Sequence, residues 1–205
     1  MLTVGFDLDM TLIDSREGIA ATFRAVSART GVSVDTDVVV ERLGPPLETE
    51  LAYWFPPEEI AATAALYRSL YRHHAILSSP ALPGALDAVA AVRAAGGRVL
   101  VVTAKNEPDA RRHLAHLGLA VTDVVGLAWA EGKAAALRSY RASAYVGDHT
   151  ADIVAGRSAG AYPIGVATGP CTVDDLYAAG AATVLDDLTG FSDIFQDLGW
   201  AARAR

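Results

Sequence analysis

At 205 residues the chain is long enough for one domain, or one domain carrying an insertion, and a chain of this size buries roughly 70% of its unfolded surface. Apolar residues make up 52% and charged residues 20%, which excludes a disordered chain. The formal charge of −7, from 17 Lys and Arg against 24 Asp and Glu, provides no basic face for nucleic acid or for a membrane surface.

Cys171 is the only cysteine, so no internal disulfide can form and a reducing cytoplasm is the expected location. The start of the chain has no basic region ahead of an apolar one, as a signal peptide would, and no apolar run approaches the roughly 20 residues that span a bilayer.

In chain order, "LTVGFDLD" (2–9) reads as the first strand, β-branched and apolar until it ends in two acids. From 16 to 79 only helical patterns follow, at 16–31, 37–44 and 57–75, with "RLGPPLE" (42–48) as a loop stiffened by Pro45 and Pro46. Strand patterns return at 98–104, 121–128, 143–148 and 161–168. Helical patterns lie between and around them at 84–95, 106–118, 132–139 and 150–159. In 106–118, Asn106 can cap, Ala110, Leu114 and Leu117 share one face, and Gly118 stops the helix. The C-terminal "AARAR" (201–205) is expected to fray. Strand–helix alternation predicts an α/β fold, a Rossmann-like parallel sheet with helices on both faces. The expected division is a core of 1–15 and 80–205, with a helical cap of 16–79 inserted after the first strand.

The polar residues of interest fall at the C-terminal ends of predicted strands: Asp7 and Asp9 after the first, Thr103 after the second, Asp148 after "AYVG". In an open α/β sheet that edge binds ligands, so residues distant in sequence converge there. Crowded carboxylates repel unless a cation joins them, and oxygen ligands without a His or Cys cluster favour Mg²⁺.

Asp7-x-Asp9-x-Thr11, Thr103, Lys133 and "GDHTAD" (147–152), with Asp148 and Asp152, occur in an order that resembles the haloacid dehalogenase-like superfamily, and within it the phosphoglycolate-phosphatase-like proteins with a helical cap. The resemblance implies a Mg²⁺-dependent phosphatase of small organophosphate monoesters, with Asp7 as nucleophile. Asp9 would be the acid/base, with a modestly raised pKa. It further implies Asp7, Asp148 and the Asp9 carbonyl as metal ligands, Asp152 as the residue that orients the metal shell, and Lys133 as the charge-neutralising cation. Thr103 and the backbone N–H groups around Ala104 and Met10 would hold phosphate.

Lys105 is a second cation close to Thr103 and competes with Lys133 for the active-site role. Arg42, Gly44 and Pro45 in the insertion are candidates for substrate choice; Arg42 would meet a substrate anion or form an ordinary surface ion pair. Met10 stands where related sequences carry Gly, which implies a turn without positive φ and a thioether near the pocket mouth. His149 is expected in a solvated loop, His73 and His74 with Arg68 and Arg72 on a solvated face, and Cys171 inert. The partner is a small phosphorylated metabolite, with the chain a monomer or homodimer. A phosphotransferase or mutase, or a catalytically silent phosphate-binding module, are the alternatives.

Overall fold

The structure, a computed structural model, describes residues 2–200, so the expected fraying of 201–205 lies outside the described residues. Six parallel strands form one sheet: β1 (Thr3–Phe6), β2 (Arg98–Val102), β3 (Asp123–Val125), β4 (Ala144–Gly147), β5 (Tyr162–Val166) and β6 (Thr183–Leu185), in the order β3-β2-β1-β4-β5-β6. The order reverses at β1, which pairs with β2 on one side and β4 on the other. At such a switch point the connections leave in opposite directions and open a crevice at the strands' C-terminal ends.

Alternation along each strand sends side chains to two separate apolar layers. Val4, Phe6, Val99, Val101 and Val146 face α5 (Ala85–Ala94), α6 (Glu107–His116) and α10 (Phe191–Asp197). Leu100, Val102 and Tyr145 face the opposite way, against α7 (Glu131–Ser139) and α8 (Thr150–Ser158). Strands covered on both faces read as the near-continuous apolar runs seen in the sequence. Asn106 caps α6, its side chain accepting from the Asp109 N–H. β6, α9 (Val173–Ala179) and α10 have no counterpart among the expected elements. β6 has only three residues, half-buried at the sheet edge, too few to show a period.

Between β1 and β2 lie α1 (Arg16–Thr30), α2 (Thr36–Glu41), α3 (Leu47–Leu51) and α4 (Pro57–His74), packed around their own apolar cluster, with the Phe23 and Tyr67 rings 4.9 Å apart. The helix expected at 37–44 stops at Glu41, because Gly44 takes φ 133° and the Pro pair that follows disfavours helix before it. Leu47, expected in the loop, starts α3 instead. The segments leading into and out of the helices run side by side: the Asp14 N–H donates to the Pro80 carbonyl (2.9 Å) and the Leu82 N–H to the Leu12 carbonyl (3.0 Å).

Phe6 is fully buried, its ring centre 5.5 Å from that of Phe191, at the end of the strand that leads into Asp7. Phe6→Ala is expected to cost about 3–5 kcal/mol, measured by urea unfolding; a loss under about 1 kcal/mol would show that β1 does not depend on this packing.

Candidate active site

The end of β1 is fixed by its neighbours. The Asp7 N–H donates to the Val146 carbonyl of β4 (2.8 Å), and residues 8–13 fold into a tight turn in which the Thr11, Leu12 and Ile13 N–H groups all point at the Leu8 carbonyl. This turn carries Thr11 under Asp148, where its hydroxyl donates to Oδ1 (2.9 Å). Lys133, in the first turn of α7, reaches both Asp152 Oδ1 (2.6 Å) and Asp7 Oδ1 (3.0 Å). Asp152 lies in the first turn of α8, where its Oδ1 also accepts from the Tyr145 hydroxyl (3.2 Å) and its Oδ2 from the His149 N–H (3.2 Å). Gly147 allows this approach, since a Cβ there would lie 2.4 Å from the Asp152 Cβ.

The second carboxylate of the first strand is held separately. Asp9 pairs with Lys105 (2.9 Å), and Lys105 donates to the hydroxyl of Tyr71 (2.7 Å), which also bonds His113 Nε2 (2.9 Å). Tyr71 belongs to α4 and His113 to α6, so this chain of contacts joins the helical insertion to the core. The two lysines therefore divide the work: Lys133 serves Asp7 and Lys105 serves Asp9.

A cavity of about 90 Å³ opens between the insertion and the strand ends. Asp7, Asp9, Thr103, Ala104 and Lys105 line one end, while Arg42, Gly44, Pro45 and Glu50 belong to the other. Arg42 donates from Nε (3.2 Å) and Nη2 (2.5 Å) to Glu50.

Expectations for Met10 and His149 are corrected. Met10 adopts φ 59° and is buried; the tight turn requires a left-handed residue there, and the thioether does not line this cavity. Its N–H, expected to hold phosphate, donates to the Ile13 carbonyl (2.8 Å). His149, expected in a solvated loop, is half-buried: it caps α8, packs 5.2 Å from Trp129, and lies where a Cβ on Gly44 would meet its ring at 2.9 Å. His73 and His74 are exposed, as expected. Tyr71, His113 and Trp129 were not legible as site residues. Tyr71 continues the buried face of α4 with Tyr67, and that periodicity does not reveal that its hydroxyl reaches another element.

Residues 4–166 match the description "haloacid dehalogenase-like hydrolase". The chain belongs to this hydrolase family. It is 30% identical over 213 residues to phosphoglycolate phosphatase of Rhodospirillum rubrum, covering 92% of this chain and 88% of the relative. It is also 35% identical over 115 residues to tyrosine-protein kinase PtkA of Mycobacterium tuberculosis; the match takes in 56% of this chain and spans only 40% of that kinase. Its fold is similar to that of a haloacid dehalogenase-like family hydrolase from Streptococcus pneumoniae, with TM-score 0.82, 22% identity, and coverage of 96% of this chain and 99% of the other. No helix among the described residues is long and apolar enough to cross a membrane.

The acids at this site suit a cation. Asp7, Asp148 and Asp152 each offer an oxygen within 4.8 Å of the others. Asp7 Oδ1 and Asp9 Oδ1 are both buried with a lysine ion pair, to Lys133 at 3.0 Å and to Lys105 at 2.9 Å, but no well-aligned hydrogen bond; of the two, only Asp7 lies in the acidic cluster. An orphaned carboxylate oxygen in an acidic cluster is what a hard cation would complete, and Asp152, with both oxygens engaged, is the least free to ligate. The Asp9 carboxylate, turned to Lys105, is not in this cluster.

Burial pushes the Asp7 carboxyl up to about 7 against the pull of Lys133, and burial followed by Asp7 and Asp152 pushes Asp148 well up. Burial opposes the charge on Lys133, yet Asp152 and Asp7 outweigh it and hold the ammonium above the ordinary lysine range. Burial would also raise Asp9, but the Lys105 ammonium at 2.9 Å holds it below the usual carboxylate range. The raised pKa expected for Asp9 is thus overturned by its ion pair. His113 is lowered to about 4 by burial and then by Lys105.

Folded Asp7 keeps a proton that the unfolded chain releases near 3.8, so without metal its contribution to stability is full below about 4 and is lost as pH rises through about 7. Metal ligation needs the ionised form. MgCl₂ is therefore expected to raise Tm over an EDTA control more at pH 8 than at pH 5, the gain in stability at pH 8 being about 2.7 kcal/mol at a hundredfold excess over Kd. Scanning calorimetry reads this, and equal or absent shifts at both pH values would remove the metal site.

Proposed function

We propose that this hydrolase is a Mg²⁺-dependent phosphatase of small organophosphate monoesters, with a nucleophile at Asp7. The observation that carries the reading is a cavity with Asp7 and Asp9 at one end, each beside its own buried lysine. The relative from Rhodospirillum rubrum is named for phosphoglycolate, a small monoester, and the compact cavity supports that size class.

Asp7 and Asp148 would hold the ion, together with the Asp9 carbonyl, and Asp152 would orient Lys133 beneath them. When bound, Mg²⁺ supplies the positive charge that lets a carboxylate approach a phosphoryl dianion. An Asp7 oxygen attacks phosphorus and the bond to the alcohol oxygen breaks, with Asp9 delivering the proton that makes the leaving group neutral. Water then attacks the aspartyl-phosphate, Asp9 takes its proton, and the bond from Asp7 to phosphorus breaks to release inorganic phosphate. Lys133 offsets charge at Asp7 throughout, and Thr103 and the backbone at Ala104 hold phosphoryl oxygens.

Lys105 favours the ionised Asp9, the form needed in the second step; the first needs a looser contact. Residues 16–79 would act as a cap over a core of 1–15 and 80–205. The contacts of Tyr71 with Lys105 and His113, and of Gly44 with His149, support a closed arrangement that excludes water and must open for product release. The lone cysteine suits a reducing cytoplasm. The likeness to a tyrosine-protein kinase supports a second reading, in which an acceptor hydroxyl replaces water in the second step.

Asp7→Asn is expected to lower Mg²⁺-dependent hydrolysis of a phosphate-ester panel by at least about 10³-fold while the protein stays folded. Metal-independent turnover, or full activity in the variant, would sink the mechanism. Removing the strongest pull on Asp9 with Lys105→Met is expected to raise its pKa, moving the alkaline limb of the kcat/KM profile to higher pH. An unmoved limb would show that Asp9 is not the group titrating.

A further inference from the structure

The cavity wall contributed by the helical insertion is not built for an anion. Ile19, Phe23, Val39, Leu43, Leu47 and Tyr67 make it largely apolar. Its one cation, Arg42, gives two hydrogen bonds to Glu50 and lies 4.2 Å from the Tyr53 ring centre, while Glu50 accepts a further bond from Trp54 Nε1 (2.8 Å). At the other end Lys105 is taken by Asp9. The lining thus carries three acids, Asp7, Asp9 and Glu50, against two cations that each have an internal partner. A bound divalent cation would balance a phosphoryl dianion and leave nothing for a second negative charge. Pulling Arg42 towards such a charge would strand Glu50 beside an apolar wall, where an unpaired carboxylate is costly.

We propose, resting on the phosphatase reading above, that the preferred substrate is the phosphate ester of a compact, uncharged alcohol. Esters carrying a carboxylate or a second phosphate on the alcohol are disfavoured. The hydrocarbon of an uncharged alcohol would be buried by the six apolar side chains, which stabilises it in proportion to the area covered. The cavity of about 90 Å³ limits its size, being well under the about 300–1,000 Å³ of sites for drug-sized ligands. Phosphoglycolate, with a carboxylate next to the phosphate, is disfavoured on this count although a relative is named for it. Glu50 and Arg42 act together as the discriminating pair: Glu50 repels an anionic alcohol and keeps Arg42 from receiving one.

The test uses binding, so that it stands apart from turnover. Propylphosphonate and phosphonoacetate are similar in size, resist hydrolysis and differ in one carboxylate. Calorimetric titration of the full chain in MgCl₂ is expected to give propylphosphonate at least about tenfold tighter binding, the ratio that one poorly balanced charge produces. Glu50→Gln, which frees Arg42, is expected to move that ratio at least about fivefold towards phosphonoacetate. Equal or tighter binding of phosphonoacetate by the wild type, lost in Arg42→Ala, would overturn the inference while leaving a phosphatase intact. The wild-type comparison decides even if a variant does not fold. Failure of both probes to bind would overturn it together with the reading beneath it, whereas selective binding without Mg²⁺-dependent hydrolysis of any ester would uphold the preference and sink the phosphatase.

Discussion

Three carboxyl groups and one ammonium share a buried space at the end of β1 and β4, and the arrangement of the molecule follows from keeping them there. Asp7, Asp148 and Asp152 repel one another at under 5 Å, and among the described residues Lys133 is the one Lys or Arg buried with them. Removing charge from water is expensive unless each group is paired or bonded. Hence the polar scaffold around the cluster: Thr11 under Asp148, Tyr145 and the His149 N–H on Asp152, and the β4 carbonyl that holds the Asp7 backbone. Asp7 Oδ1 within this cluster, and Asp9 Oδ1 beside it, are buried without a hydrogen bond, and both residues line the cavity.

Asp9 belongs to a different electrostatic unit. Its ion-pair partner Lys105 comes from a core loop, and Lys105 in turn donates to Tyr71 of α4, so the surroundings of this carboxylate depend on where the insertion sits. Two carboxylates two residues apart on a strand would point to one face and share its surroundings. Yet β1 ends at Phe6 and the turn over 8–13 carries Asp9 to Lys105 while Asp7 stays beside Lys133, and their pKa values move in opposite directions. Separation of this kind lets two neighbouring acids take different roles.

The insertion supplies the part of the cavity that is not polar. Its helices pack on each other first and meet the core through few contacts, among them the Tyr71 hydroxyl and the close approach of Gly44 to His149. Such a joint is specific but small. The paired segments around Ile13 and Ala81 keep both connections at one edge of the sheet, and a hinge there would need only local backbone change.

Much of this was written in the sequence, because it depends on local pattern. Apolar runs bounded by turn residues marked five of the six strands, helical periods marked most helices, and acids placed where a buried strand should end announced Asp7 and Asp148. What depends on contacts between distant segments was not legible. A three-residue edge strand has no period to read, and a Tyr on a buried helical face does not disclose what its hydroxyl meets. The residue type at position 10 argued against positive φ, but the hydrogen bonds of the turn outweigh that preference. Likewise two lysines near the site were equivalent by composition, and only the tertiary structure could assign one to each aspartate, since pairing is decided by distance in space and sequence separation carries no such information.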